Sequence, residues 1–106
     1  KTGNTKFNIF DTRKIINKIK KRNYKDRTEF MCLYAYIYIY YINTNHNNYS
    51  LYLSNKLHYS ENYIKNLSKE LFLEKYLIKN TQGVPGGIFS RKTLTKFNSP
   101  EFQQYL

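Results

Sequence analysis

Apolar residues recur at helical spacing near the start of the chain. Residues 15–19 include three isoleucines that fall on one face of an α-helix. Asp11 or Thr12 can cap this helix, which we expect to end around residues 21–23. Residues 1–10 are expected to form an N-terminal arm: residues 1–6 are expected to be disordered, and Phe7, Ile9 and Phe10 alternate loosely with polar residues, as in a short strand or an extended segment.

The longest apolar run, residues 30–42, fits two secondary structures. Part of it alternates with period two, as in a strand, and its apolar positions also line a helical stripe. The stripe comprises Phe30, Leu33, Tyr34, Ile37, Tyr38 and Tyr41. Asp26 and Glu29 form a capping-box pair before the run, and together with the length of the segment they favour a helix. Both faces of this helix are apolar, which in so small a domain suggests a dimer interface.

Two amphipathic patterns follow a polar loop at residues 43–48 and predict a helix-turn-helix over residues 50–73. Ser50 is expected to cap the first helix, which ends near His58, and Ser60 is expected to cap the second. The residues expected to face inward are Leu53 and Leu57 in the first helix and Ile64, Leu67 and Leu71 in the second. The second helix therefore has one apolar side and one polar side.

A β-hairpin is predicted over residues 76–94. A β-rich segment precedes a Gly/Pro-rich turn at residues 82–87, and a returning strand covers residues 88–94. Pro100 suits the first position of a short helix over residues 99–106. We therefore predict a fold that is mainly α with a small β-hairpin wing (α+β), a winged helix-turn-helix.

One domain spans residues 1–106, and its charge is strongly positive. Lys and Arg number 18 against 7 Asp and Glu, a net charge of +11, which is typical of proteins that bind a polyanion. A bias toward AT-rich codons would explain many of the lysines. It would not explain why Asp and Glu are scarce, because these residues are also reachable with AT-rich codons, so nucleic acid is the favoured partner. Near the end of the first helix, cations either complement the helix dipole or contact phosphate. These cations are Lys18, Lys20, Lys21 and Arg22.

The cysteine content and the apolar segments exclude several classes of protein. The single cysteine, Cys32, rules out an internal disulfide, suits a reducing compartment and has the apolar neighbours of a buried structural thiol. The apolar run of 13 residues is too short to span a bilayer, and no signal peptide is visible. We expect a cytoplasmic protein that does not bind membranes.

Residue patterns for catalysis, metal binding or cofactor binding are also missing. His46 and His58 have no cysteine or carboxylate at ligand spacing, so no metal site is expected. The glycine cluster at residues 83–87 lacks the Lys-Ser/Thr of a P-loop, and carboxylates are few and scattered. We therefore expect no cofactor and no enzymatic activity.

The polar side of the predicted second helix carries groups that recognise DNA. Asparagine can pair bidentately with adenine, and lysine reaches guanine or phosphate in the major groove. Hydroxyls at the helix start can meet a phosphate beside the helix N-terminus. The candidate contacts are Ser60, Asn62, Tyr63, Lys65, Asn66 and Lys69. The alternative is an ordinary solvated helix face, since Lys and Asn are abundant throughout the chain.

The predicted wing offers a second basic surface. Lys79 precedes its turn, and Arg91 and Lys92 follow it. Basic hairpins lie along the DNA backbone or place an arginine in a narrow AT-rich minor groove, and Arg91 is the candidate for that role. A phosphate contact is the alternative for Arg91, and hairpin geometry alone would also explain the turn glycines and prolines.

Residues 49–94 resemble the winged-helix superfamily, most tellingly in residues 60–78, SENYIKNLSKELFLEKYLI. Size and layout are most similar to the TubR-type centromere-binding proteins of plasmids and phages, and residues 6–19, KFNIFDTRKIINKI, resemble the arm and first helix of that group. The resemblance implies a homodimer that binds repeated DNA sites and links them to a tubulin-like GTPase filament. It also implies that residues 60–69 enter the groove and residues 82–91 form the wing.

The sequence therefore predicts a sequence-specific double-stranded DNA-binding protein that acts as a centromere-binding adaptor in plasmid or phage DNA partition. Its sites are expected to be AT-rich repeats. A winged-helix transcriptional repressor and the N-terminal domain of a plasmid replication initiator are alternatives that also bind DNA. An interaction module that binds no nucleic acid is the alternative from another class.

Overall fold

Helices account for most of the described structure. The computed structural model describes residues 10–44, 48–79 and 87–106. In chain order, its elements are α1 (Thr12–Lys20), α2 (Arg27–Thr44), α3 (Tyr49–Leu57), α4 (Glu61–Leu73), β1 (Leu77–Lys79), β2 (Gly87–Phe89), α5 (Arg91–Phe97) and a C-terminal 3-10 helix (Pro100–Tyr105). The two strands form an antiparallel pair in which Ile78 lies opposite Ile88. The predicted mainly α fold with a β-hairpin is confirmed, as is the short helix that begins at Pro100.

Helix α1 begins where its capping residue predicts. The Asp11 carboxylate accepts a hydrogen bond from the backbone N–H of Arg13 at 3.0 Å, and this bond lowers the pKa of Asp11. Ile15 and Ile19 are fully buried, as their spacing predicts. The rest of the predicted N-terminal arm, residues 1–9, lies outside the described residues.

The ambiguous apolar segment is a helix, α2. Oδ1 of Asp26 accepts a hydrogen bond from the N–H of Glu29 at 2.9 Å, and Oε1 of Glu29 accepts one from the N–H of Lys25 at 2.6 Å. These two bonds satisfy backbone donors at the helix start that would otherwise lack a partner. The prediction of a helix rather than a strand is confirmed.

Helix α2 is the central helix of the molecule. Every residue from 30 to 39 is buried, because α1, α4, α5 and β2 all pack against this helix. Within the described part of the chain, no helix is both long enough and apolar enough to cross a bilayer. The expectation of a dimer interface on α2 is therefore corrected: the chain's own elements cover both of its apolar faces.

Tyrosine hydroxyls buried on α2 have hydrogen-bond partners. Tyr34 Oη lies 2.8 Å from Ser68 Oγ, and Tyr36 donates to the carbonyl oxygen of Phe10 at 3.3 Å. Burial raises the pKa of Tyr36 to about 12 and also raises the pKa of Tyr34, so both hydroxyls stay protonated at neutral pH. These bonds offset the cost of burying hydroxyls and allow α2 to carry tyrosines in the core.

An aromatic cluster joins both ends of the described chain to α2. Phe97 of α5 packs edge-on against Tyr36 of α2 and against Phe10, with ring centroids 5.9 Å and 5.5 Å apart. Phe89 of β2 and Phe102 of the C-terminal 3-10 helix complete the cluster, 4.9 Å and 5.4 Å from Phe97. Contacts between rings at these distances hold α5 and the hairpin against the central helix.

Cys32 should react with thiol reagents only slowly in the native protein. Its side chain is fully buried, and burial raises the pKa of the thiol to about 11, so little thiolate is present at pH 8. From the pKa difference alone, we expect the native thiol to react about a hundredfold more slowly than the thiol of the unfolded chain. Absorbance with an aromatic disulfide reagent, with and without denaturant, measures both rates. Equal rates would contradict the burial of Cys32.

Candidate nucleic-acid interface

Helices α3 and α4 occupy the region predicted as a helix-turn-helix. The prediction that Ser50 caps α3 is wrong, because α3 begins at Tyr49 and Ser50 lies inside its first turn. The Ser50 hydroxyl instead donates to Oε2 of Glu61 at 2.9 Å. Leu53 and Leu57 are fully buried, as predicted. The Ser50–Glu61 hydrogen bond therefore joins the first turns of the two helices.

The turn between α3 and α4 is held by contacts from α3 and from the end of α1. His58 ends α3 in the left-handed backbone conformation, with φ at 62°, and its carbonyl oxygen accepts a hydrogen bond from Nη2 of Arg22 at 3.3 Å. The Arg22 guanidinium also lies 4.3 Å from the ring centre of Tyr59. On the other side, Oγ of Ser54 donates to the carbonyl oxygen of Tyr59 at 2.5 Å. These bonds fix the direction in which α4 leaves the turn.

Helix α4 starts at its predicted cap. Oγ of Ser60 accepts a hydrogen bond from the N–H of Tyr63 at 3.1 Å. The Tyr63 ring remains partly exposed and lies 4.6 Å from the ring of Tyr59, measured between centroids. The buried residues predicted for the inner side of α4 are Ile64, Leu67 and Leu71. The inner side of α4 packs against α2 and α3, as the sequence pattern predicts.

The opposite side of α4 is open to solvent. Asn62, Lys65, Asn66 and Lys69 are all exposed, and they follow one another at helical spacing, so they share this side. The row is about 10 Å long, the rise of about three base pairs. Its two amides and two ammonium groups offer hydrogen-bond donors, acceptors and positive charge. We call these four residues the outer row of α4.

Carboxylates balance the lysines of α4. Glu70 pairs with Arg27 of α2, with Nη2 and Oε1 2.7 Å apart, and the hydrogen bond to Glu70 raises the pKa of Arg27. Together with Glu61, the helix therefore carries two acidic side chains against its two lysines, Lys65 and Lys69. Helix α4 adds no net charge, so attraction to a polyanion has to come from cations elsewhere in the chain.

The hairpin after α4 is shorter than predicted. Each strand has three residues, and the prediction that the second strand continues to residue 94 is wrong, because Ser90 caps a helix. Oγ of Ser90 accepts a hydrogen bond from the N–H of Thr93 at 3.4 Å, and Oγ1 of Thr93 donates to the carbonyl oxygen of Tyr76 at 2.8 Å. The chain therefore turns into α5 directly after β2. The predicted turn falls mostly on residues 80–86, which lie outside the described residues.

The three basic residues predicted for the wing occupy two different elements. Lys79 is the last residue of β1 and is exposed, as predicted. Arg91 and Lys92 lie in the first turn of α5, so their placement on a wing strand is wrong. Arg91 and Lys92 are both exposed, and the Lys92 ammonium lies 4.1 Å from the ring centre of Tyr76. Of the three, only Lys79 is on the hairpin.

Gly87 allows the hairpin to lie directly against α4. A Cβ atom at this position would approach the carbonyl oxygen of Ile78 to 2.7 Å and Cε1 of Phe72 to 2.9 Å. Leu73 and Lys79 line a shallow groove between the end of α4 and β1. The hairpin is therefore held beside the C-terminal end of α4, and it carries Lys79 there.

Sequence reasoning missed a basic groove between α1 and α3. The groove has a volume of about 340 Å³. Its polar lining residues are Arg13, Asn17 and Lys20 of α1 and Asn55, Lys56 and His58 at the end of α3. We call this site the α1–α3 groove. The density of cations in α1 is visible in the sequence, but their position opposite α3 depends on how the two helices pack.

Among the residues that the structure describes, no three His, Cys, Asp or Glu side chains are grouped as a metal site requires. A function has to be argued from the chain's own residues, because no protein-family model matches it and no curated protein or solved structure is significantly similar to it.

Proposed function

We propose that this chain is a sequence-specific double-stranded DNA-binding protein whose helix α4 enters the major groove. The observation that carries the proposal is the exposed outer row of α4, on a helix whose other side is buried. Amides and ammonium groups in one row can pair with base edges that differ between base pairs. The net charge of +11 supplies the attraction to phosphate that such binding requires.

The elements around α4 support the same function. In a helix-turn-helix, the first helix and the turn present the second helix to the duplex. The Ser50–Glu61 and Arg22–His58 hydrogen bonds hold the start of α4 and the turn before it, and such a presentation would require this. Lys79, which lines the groove at the end of α4, would contact the DNA backbone as a wing residue does.

The biological role that we propose is that of an adaptor in plasmid or phage DNA partition, and it rests on the resemblance to TubR-type proteins. A homodimer would bind repeated AT-rich sites and link them to a tubulin-like GTPase filament. Its interface would lie outside α2, which the chain itself covers. A repressor and a replication initiator would use the same contacts with DNA and differ in their partner. Co-sedimentation of the DNA-bound protein with filaments of a GTPase from a neighbouring gene would separate partition from both.

DNA binding is tested with the purified chain and a fluorescently labelled pool of random duplexes. If about 6–10 phosphates are contacted per dimer, affinity should fall by about 10³–10⁵-fold between roughly 50 and 200 mM salt. Repeated selection from the pool should enrich one sequence motif, because the outer row of α4 discriminates between bases. Fluorescence anisotropy measures the salt dependence, and sequencing of the selected duplexes shows whether a motif is enriched. Undetectable binding at low salt would contradict the proposal and favour an interaction module that binds no nucleic acid.

A further inference from the structure

The positive charge of this protein is concentrated in and just after α1, not on α4. Residues 13–25 include seven of the chain's 18 Lys and Arg residues and no Asp or Glu. Helix α4, in contrast, has two acidic and two basic side chains. Because phosphate contacts supply a large share of the affinity of proteins for DNA, we look for the main phosphate-binding cations among these seven.

The α1–α3 groove gathers part of this charge into a single concave site. Arg13, Lys20 and Lys56 contribute cations from two different helices, and Asn55 and His58 add further polar groups. In the part of the chain that the structure describes, neither Lys20 nor Lys56 forms an ion pair with a carboxylate. Cations, amides and an imidazole are the groups that contact phosphate oxygens.

The groove lies next to the N-terminal end of α4. His58, which lines it, accepts the hydrogen bond from Arg22, and Arg22 packs over the ring of Tyr59. The Tyr59 ring in turn lies beside Tyr63 in the first turn of α4. A helix in the major groove has a phosphate strand on each side, so the groove is placed to meet one of these strands.

We propose that the α1–α3 groove binds the phosphate backbone of the same duplex that α4 reads, and that it supplies much of the electrostatic affinity. This inference rests on the proposed DNA-binding function. A membrane surface is disfavoured as the partner, because Ile15 and Ile19 of α1 are fully buried and α1 has no apolar face to insert between lipids.

The proposal is tested by replacing Arg13, Lys20 and Lys56 with glutamine in one variant. Glutamine keeps a polar side chain of similar length and removes three charges. Each lost phosphate contact reduces the slope of log affinity against log salt by roughly 0.9, so the slope should become shallower by about 3. The affinity near 0.1 M salt should fall about a hundredfold or more. Preference for the selected sequence over a scrambled one should stay the same, since α4 is unchanged. Anisotropy titrations over a salt series measure all three quantities.

Lys14, Lys18 and Lys21 provide a matched control on α1. They line a different groove, beside the C-terminal 3-10 helix, and their replacement by glutamine removes the same charge. The control should change the salt slope much less than the groove variant. Equal changes in the two variants, or no change in the groove variant, would overturn the proposal. If the triple variant fails to fold by circular dichroism, the double variant Lys20→Gln and Lys56→Gln is compared in the same way, with an expected change in slope of about 2.

The failure of this proposal is distinguishable from the failure of the proposed function. A wild-type protein that does not bind duplex DNA at low salt would overturn both. A wild-type protein that binds DNA, together with a groove variant that keeps the wild-type salt slope, would overturn only the role of the groove.

Discussion

A double variant in which both Asn62 and Asn66 are replaced by alanine is expected to bind the selected DNA sequence more weakly by about 2–6 kcal/mol. Each amide can supply about 1–3 kcal/mol of base discrimination. Binding to a scrambled duplex should change little, since neither side chain carries charge and the phosphate contacts remain. Alanine forms helix more readily than asparagine, so α4 should be retained. Anisotropy titrations with the selected and the scrambled duplex measure the two affinities.

Asn98→Ala is the control for this variant. It also removes an exposed asparagine amide, but from the C-terminal cap of α5, and it should leave both affinities unchanged. An equal loss of affinity for both duplexes in the double variant would show that α4 contacts the backbone rather than the bases. Wild-type affinity for both duplexes would remove the outer row of α4 from the interface.

Local capping chemistry explains which elements could be predicted from the sequence. Residues 30–42 fit a strand and a helix equally well by pattern, and the Asp26–Glu29 pair correctly favoured the helix. Ser60 likewise marked the start of α4. In each case the partners of the capping side chain are within four residues, so the interaction is visible in the sequence.

The two failed predictions near the candidate site have different causes. Ser50 resembles a cap, but its hydroxyl donates to Glu61, 11 residues later. The second strand was extended past Ser90 even though the Ser90 cap is local, since its partner, the N–H of Thr93, lies three residues later. Only the further bond from the Thr93 hydroxyl to Tyr76, 17 residues earlier, lies outside a local pattern. Because the strand was extended, Arg91 and Lys92 were placed on the wrong element.

The candidate site was predictable only in part, because only one part of it depends on a pattern within a single helix. A single buried stripe on α4 determines which side chains point outward, so the outer row of α4 follows from the spacing of Ile64, Leu67 and Leu71. The α1–α3 groove, in contrast, forms between two helices that are more than 20 residues apart in the sequence. A pattern within either helix does not show that they pack together. Similarly, an apolar face on α2 looks the same in the sequence whether a partner or the chain itself covers it.

In the aromatic cluster, Phe97→Ala is expected to lower the free energy of unfolding by about 3–5 kcal/mol. Phe97 is 1% exposed, and among the described residues its ring contacts those of Phe10, Tyr36, Phe89 and Phe102. These four rings belong to different parts of the chain, so no single shift of one element can fill the cavity that alanine leaves. A small domain has a total stability of about 5–15 kcal/mol, and the melting temperature should fall by at least about 12 °C. Circular dichroism during heating and denaturant titration measures both quantities.

Leu73→Ala is the control for the loss of apolar volume. Leu73 is 77% exposed, so its removal should change the free energy of unfolding by no more than about 0.5 kcal/mol. A loss in Phe97→Ala as small as this would contradict the packing of the aromatic cluster. None of the four rings around Phe97 belongs to α4, so at a temperature where Phe97→Ala is folded it should bind DNA with wild-type affinity. Reduced affinity at that temperature would show that the cluster also sets the position of α4, and with it the position of the outer row.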